Sequence, residues 1–291
     1  MKVYLGAVVL WTLGAACAAV ATHSDSKRPE SERHSDLEVV TISQVSWEAL
    51  NPARGEMSPK AGTLWGDRNG TGATGFLVQF VDGFSSPPHI HNVTYRGVVI
   101  QGLVHNDDPT ADKMWMRPGS FWTQPKGESH ITAARGRATR AYIEIDQGPY
   151  LVKPTDEAFD SDERPVNLET SNVVWLDATA PAASTTRAEV AYVWGDPRDA
   201  DPAGALLRLP AGYSGRLTSS GNGVRAVVIQ GTVQSRDEAR GDASVALAPG
   251  SYVGARGGRS IPVYCASGLT CVLYVRVEGA LRVEATTPGE M

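Results

Sequence analysis

The sequence predicts an all-β protein built from two copies of one β-rich unit. Short runs such as TGFLVQFVDGF, YRGVVIQGLVH and RAYIEI are rich in valine, isoleucine and aromatics and are bounded by Gly, Pro, Asn and Asp. No segment sustains a helical period, and 30 glycines with 18 prolines supply the turns that many short strands require. The second half copies the first. Trp47 corresponds to Trp175 and Trp65-Gly66-Asp67 to Trp194-Gly195-Asp196. VVIQG at 98–102 recurs at 227–231 with the same offset, and RPGSF at 117–121 corresponds to APGSY at 248–252.

In chain order, residues 1–21 read as a secretory signal. Lys2 supplies the charged start, Val3 to Val20 is apolar, and Ala19-Val20-Ala21 or Ala16-Cys17-Ala18 offers a small-residue cleavage site. The expectation is an exported protein, periplasmic or extracellular, with no membrane span after cleavage. Lipid anchoring at Cys17 is the weaker alternative, because Gly14 stands where a bulky aliphatic residue is expected. Residues 22–40 form a polar tether in which His23 and His34 are solvated. Residues 41–150 make the first unit, and 151–172 an acidic, proline-containing connector. Residues 173–283 make the second unit, and 284–291 a tail. The net charge is −5 and no basic patch stands out, which argues against a nucleic-acid partner and leaves a small molecule as the expected one. A homo-oligomer remains compatible with the sequence. Two glycosylation-like triplets, at Asn69 and Asn92, are taken as chance matches.

The chemistry concentrates in PPHIHNVTYRGVVIQG and, about forty residues later, QPKGESHITAA. His89 and His91 are two apart, so on a strand both imidazoles face one side. His130 follows the Pro125/Gly127 turn. Three imidazoles converging on one side of a β-structure make an open metal site.

The residues around these histidines carry a resemblance. Gly83, His89, His91, Tyr95 and Gly102, then Gly119, Pro125, Gly127, His130 and Ala134, follow the spacing of the two signature motifs of the cupin superfamily. The first motif there reads Gly, five residues, His, one, His, three or four, Glu, six, Gly; the second reads Gly, five, Pro, one, Gly, two, His, three, Asn. This chain departs from the pattern at Tyr95, in place of glutamate, and at Ala134, in place of asparagine. Together with the repeat, the resemblance implies two tandem cupin (double-stranded β-helix, jelly-roll) barrels over about residues 41–281, a bicupin. It implies one divalent ion (Fe, Mn, Zn or Ni) on His89, His91 and His130. At the positions of His89, His91, Tyr95 and His130 the second half is read as Thr218, Ser220, Val224 and Ile261, so the C-terminal cupin is degenerate and the metal site belongs to the N-terminal one.

Tyr95 admits three roles: a weak fourth ligand, an acid or base acting on substrate, or an aromatic wall. The last two are preferred, because phenolate is seldom a default ligand. Glu128, two before His130, could supply the missing carboxylate or serve catalysis, against the plainer reading of a solvent-exposed turn residue. Thr132 shares the parity of His130 and Gln101 that of Tyr95, so both are expected in the pocket. Trp122, Trp115, Met116 and Phe80 are expected in the core, and His105 at the surface or rim. Cys265 and Cys271 flank a short hairpin loop and, once Cys17 leaves with the signal, form an even pair expected to close a disulfide.

Two functions follow from the resemblance. One is a metal-dependent enzyme of dioxygenase, isomerase or lyase type acting on a small polar organic molecule. The other is a non-catalytic cupin that binds or senses a small ligand.

Overall fold

A computed structural model of the chain describes residues 37–178, 187–196, 201–236, 244–266 and 268–286. The expected signal segment, most of the tether and the end of the tail lie outside the described residues. In the first half the strands are β1 (Leu37–Val40), β2 (Glu48–Ala49), β3 (Lys60–Trp65), β4 (Thr74–Gln79), β5 (Ile90–His91), β6 (Tyr95–Asp107), β7 (Phe121–Gln124), β8 (Ile131–Ile145), β9 (Val152–Lys153) and β10 (Val166–Leu168). In the second they are β11 (Leu176–Asp177), β12 (Glu189–Trp194), β13 (Pro202–Leu209), β14 (Ser214–Ser219), β15 (Gly223–Gln230), β16 (Val233–Arg236), β17 (Ser244–Leu247), β18 (Tyr252–Arg256), β19 (Ile261–Cys265), β20 (Cys271–Glu278) and β21 (Leu281–Ala285). The helical elements among the described residues are short 3-10 turns.

Each half is wound from antiparallel strands. The first centres on a seven-stranded sheet ordered β10-β7-β6-β8-β4-β3-β2, with the small β5-β9 pair carrying His91. The second has a seven-stranded sheet, β1-β18-β15-β20-β13-β12-β11, and a five-stranded one, β17-β16-β19-β14-β21. The repeat extends to irregularities of the backbone. The β3/β4 pair slips at Thr63/Trp65 and β12/β13 at Tyr192/Trp194; β6/β8 slips at Val99/Gln101 and β15/β20 at Val228/Gln230. The chain is thus all-β, with two tandem cupin barrels.

Three apolar clusters hold it together. Phe76, Val99, Met116, Trp122 and Ile143 fill part of the first barrel. Leu207, Leu217, Val224, Val228, Ile261 and Val275 fill the second. A third cluster draws on both halves, with Leu77, Val98, Phe121 and Tyr142 against Leu206, Val227, Tyr252 and Tyr274. At this seam Trp65 Nε1 donates to Tyr142 Oη (2.9 Å) and Trp194 Nε1 to Tyr274 Oη (2.6 Å). Both hydroxyls then donate to the Glu144 carboxylate (3.0 and 2.7 Å), which pairs with Arg276 at 3.2 Å. Glu144 lies opposite Gly75 and Arg276 opposite Gly204, so equivalent positions of the repeat carry opposite charges that meet at the seam.

Two boundaries differ from expectation. Leu37–Val40, placed at the end of the tether, is a strand on the second half's sheet, with Val39 opposite Val253. The connector, 151–172, supplies β9 and β10, which pair with β5 and β7. Its acidic, proline-containing composition resembles that of a free linker, yet its backbone completes the first barrel.

Candidate metal centre

The three histidines meet at the end of the first barrel. His89 and His130 exchange backbone hydrogen bonds, each N–H donating to the other's carbonyl at 3.0 Å. His91, two residues on, sits on β5. One ring nitrogen from each residue lies within 4.8 Å of the other two, and among the described residues no carboxylate joins the group. His91 and His130 are buried and His89 half-buried.

Backbone carbonyls set the tautomer of each ring. His89 Nδ1 lies 2.9 Å from the Pro87 carbonyl, His91 Nδ1 3.0 Å from that of Leu151, and His130 Nδ1 3.2 Å from that of Glu128. A carbonyl only accepts, so each Nδ1 carries the proton and each Nε2 presents its lone pair, the form in which imidazole binds a metal. Burial lowers the pKa of all three rings. His130 falls to about 3, and His91, held down also by the charges His130 and His89 would bear, well below its usual value.

Two tyrosines close the site. Tyr150 Oη lies 3.1 Å from His91 Nε2, with its ring stacked on the imidazole at 4.3 Å. Tyr95 is buried. Its hydroxyl donates to Asn106 Oδ1 (2.8 Å) and lies 3.3 Å from His130 Nε2. Asn106 Nδ2 donates to Gln124 Oε1, and Gln124 Nε2 donates to the Glu128 carbonyl that also holds His130, a chain of hydrogen bonds that links the Tyr95 phenol to the far side of the His130 ring. Because the Tyr95 proton is directed to Asn106, lone pairs of Tyr95 and His130 face each other, and a cation beside them would relieve that contact. Burial pushes the Tyr95 phenol well above its ordinary pKa, so it is a protonated phenol at neutral pH.

The remaining expected site residues divide. Thr132 lines the cavity and donates to Asn106 Oδ1 (2.8 Å). Gln101 does not: it is exposed, and its amide reaches the Arg137 carbonyl at 3.5 Å. The strand slips on both sides of Gln101, and Gly102 takes a left-handed φ of 76°, so parity counted from Tyr95 fails there. Glu128 serves through its carbonyl. Its carboxylate lies outside the cavity wall, where burial raises its pKa, Arg164 lowers it, and Asp107, Asp108 and Asp160 raise it again. His105, expected at the rim, is buried, with Nδ1 3.3 Å from the Met114 carbonyl and its ring against Trp115. Phe80, Met116 and Trp122 are buried as expected, Trp115 only half-buried, and Phe80 and Trp122 also face the cavity. Cys265 and Cys271 are joined by a disulfide with a Cα separation of 5.9 Å.

Asn92, Asn106, Gln124 and Tyr150 escaped the sequence reading. Asn92 pins the connector: its Oδ1 accepts from the Leu151 N–H (2.9 Å) and its Nδ2 donates to the Pro149 carbonyl (3.0 Å). That clamp positions both the carbonyl and the phenol that hold His91. Gly127 permits the same wrapping from below, because a Cβ there would lie 2.6 Å from the Phe159 carbonyl.

The internal comparison shifts by one residue. In the first half His89 bridges His130; in the second Leu217 lies opposite Ile261. The counterparts of His89 and His91 are therefore Leu217 and Ser219, not Thr218 and Ser220, because the turn into β15 is one residue longer. Tyr95 faces Gln124 and Ile145, as Val224 faces Ala255 and Val277, so that pairing stands.

Fold and site together define a protein of cupin fold in which the first barrel holds a three-histidine group able to bind a metal. The chain belongs to the family described as domain of unknown function (DUF4437), whose profile matches residues 38–284. No curated protein matches it in sequence. Among solved structures it is similar to a candidate dioxygenase from Nostoc punctiforme (14% identity, TM-score 0.61, 88% of each chain covered). It is also similar to vicilin from hazelnut, Corylus avellana (12%, TM-score 0.56, 84% of this chain and 87% of that one). A variant of Bacillus subtilis oxalate decarboxylase, an enzyme described with Mn(II) centres, matches at 10% identity with a TM-score of 0.52 over 83% and 77% of the chains. At these identities the likeness is one of fold.

Proposed function

We propose that the protein is an exported, metal-dependent bicupin enzyme with one divalent ion in its first barrel and a second barrel that has no such site. The observation that carries the reading is the fixing of all three Nδ1 atoms by backbone carbonyls, which leaves three neighbouring Nε2 atoms unprotonated and able to bind one ion once the Tyr150 hydroxyl turns from His91. His89, His91 and His130 would hold it, and neutral imidazole suits Fe, Mn, Zn or Ni. When bound, such an ion supplies Lewis-acid polarisation or dioxygen chemistry of the dioxygenase, isomerase or lyase kind.

The chain's own residues would do the rest. Tyr95 Oη stands beside His130 and, by turning its O–H from Asn106, would be able to donate its proton to a bound molecule. Thr132 and Asn106 fix that hydroxyl, and Trp122 with Phe80 excludes water from the inner wall. The disulfide supports the export reading, since such bonds persist in oxidising compartments. One observation favours the alternative, a non-catalytic small-ligand binder: among the described residues the cavity wall offers no carboxylate to act as base.

Metal analysis of protein purified from its native compartment, beside His91→Ala, tests the reading. One equivalent in the wild type and little in the variant is expected; equal contents, or a metal-free wild type, would refute the site. Stoichiometric metal with no turnover across a small-molecule panel would favour the binder. The mature N-terminus, read by mass spectrometry, tests export.

A further inference from the structure

The cavity beside the histidines has a volume of about 520 Å³ and a wall that is mostly apolar and aromatic, including Val78, Phe80, Phe84, Trp122 and Ile143. That volume is ordinary for a small-molecule site. Its composition is not that expected for a small polar substrate, since burying a charged molecule against such a wall forfeits hydration without replacing it. Leu50, Leu151 and Val152 carry the apolar character out to the rim, where they are 38%, 44% and 64% exposed.

One charged side chain lines the cavity among the described residues, Arg54. Its guanidinium stands 5.1 Å from the Phe84 ring centroid, and its Nη2 reaches only the Ser85 carbonyl, at 3.5 Å. No carboxylate pairs with it among the described residues. Arg117 with Glu169 and Arg164 with Asp160 are paired, and the exposed Arg135 and Arg137 lie outside the cavity wall. An exposed guanidinium without a partner, held over an aromatic ring at the mouth of an apolar chamber, is a ready fork for one carboxylate.

We infer that the cavity takes an amphiphilic monocarboxylate, an aryl- or alkyl-alkanoate, with its carboxylate on Arg54 and its apolar body along the aromatic wall toward the histidines. This rests on the reading of the cavity as a small-molecule site and does not require the metal.

The test is calorimetric titration of the full chain, as purified and after chelation, with 3-phenylpropanoate, 3-phenylpropan-1-ol and succinate. In the chelated protein 3-phenylpropanoate is expected to bind about fivefold tighter than the alcohol, the scale of a partly exposed charge-assisted pair, and succinate more weakly than either. Arg54→Gln, a surface change, is expected to erase the preference for the acid while leaving alcohol binding unchanged. Succinate binding tightest, an unchanged preference in Arg54→Gln, or no binding of the aryl probes would each overturn the inference. Because the chelated protein is used, an empty metal site in the preceding experiment leaves this result standing, and the reverse also holds.

Discussion

Metal-free protein should lose stability as pH falls, and a definable part of that loss belongs to His130. Its pKa drops from 6.5 unfolded to about 3 folded, because burial penalises the charged ring and a charge on His89 adds to the penalty. A group whose folded pKa is depressed gives stability that is complete above the unfolded value and is lost as pH falls toward the folded one. The window therefore runs from about pH 6.5 down to about pH 3. At ~1.36 kcal/mol per unit, the span is worth on the order of 5 kcal/mol, roughly half of it gone by pH 4.5. His91 moves in the same direction, and a charge on His130 is one of its causes. His130→Gln removes one titration and eases the other. Urea unfolding of chelated wild type and His130→Gln at several pH values gives the comparison, since the carboxylates common to both cancel. The wild-type curve should be steeper by about one proton, ~1.4 kcal/mol per pH unit, across that window. Parallel curves would mean the ring is solvated in the folded state, and the buried site described above would be wrong.

Three further outcomes are expected. Arg276→Met leaves the Glu144 carboxylate buried between two tyrosine hydroxyls and should cost about 3–5 kcal/mol in urea unfolding at neutral pH, with a loss under about 1 kcal/mol contradicting the seam. Tyr95→Phe removes a buried hydrogen bond to Asn106, so stability should drop by about 1 kcal/mol while metal content is retained and any turnover falls by roughly 10²–10⁴. Metal loss in that variant would place the phenol among the ligands. Asn92→Ala frees the connector that positions His91, and chelator competition should show metal affinity reduced by about 10–100-fold, the scale of a lost outer-shell contact.

The histidine triad was legible because its signal is local. Two histidines on alternate positions of one strand, and a third placed by a turn, need only the period of two to be brought together. The seam was half legible: the repeated Trp-Gly runs announce equivalent positions, but nothing in RAYIEI and VLYVRV says that Glu144 and Arg276 will meet. Gln101 failed because a β-bulge changes parity, and a bulge is set by the pairing of two strands rather than by one of them. The same cause hid Asn106, which belongs to the β6 strand beyond the slip and reaches Tyr95 across eleven residues of sequence. Leu217 was misassigned to the neighbouring position by a turn one residue longer. Tyr150 and Leu151 lie in a stretch whose composition suggests a linker, and their role depends on a backbone hydrogen bond to Asn92 that no composition encodes.

The two barrels show why a shared scaffold can serve different ends. Where the first has Tyr95 and His130, the second has Val224 and Ile261, both fully buried in an apolar cluster. Burying a side chain of that size contributes roughly 1.5–3 kcal/mol, whereas the first barrel holds three imidazoles against their preference for charge and leaves part of its interior open. These terms predict that the first barrel is the less stable of the pair in the absence of metal; the mixed seam cluster and the Glu144–Arg276 pair join it to its neighbour. The chain even sends its first described strand, β1, to the second half's sheet. On these terms the filled barrel is expected to stabilise the hollow one through the seam. On this account, second-barrel variants that loosen the seam should raise the susceptibility of the histidine site to acid before they change its metal preference, because they act on its stability and leave its ligands in place.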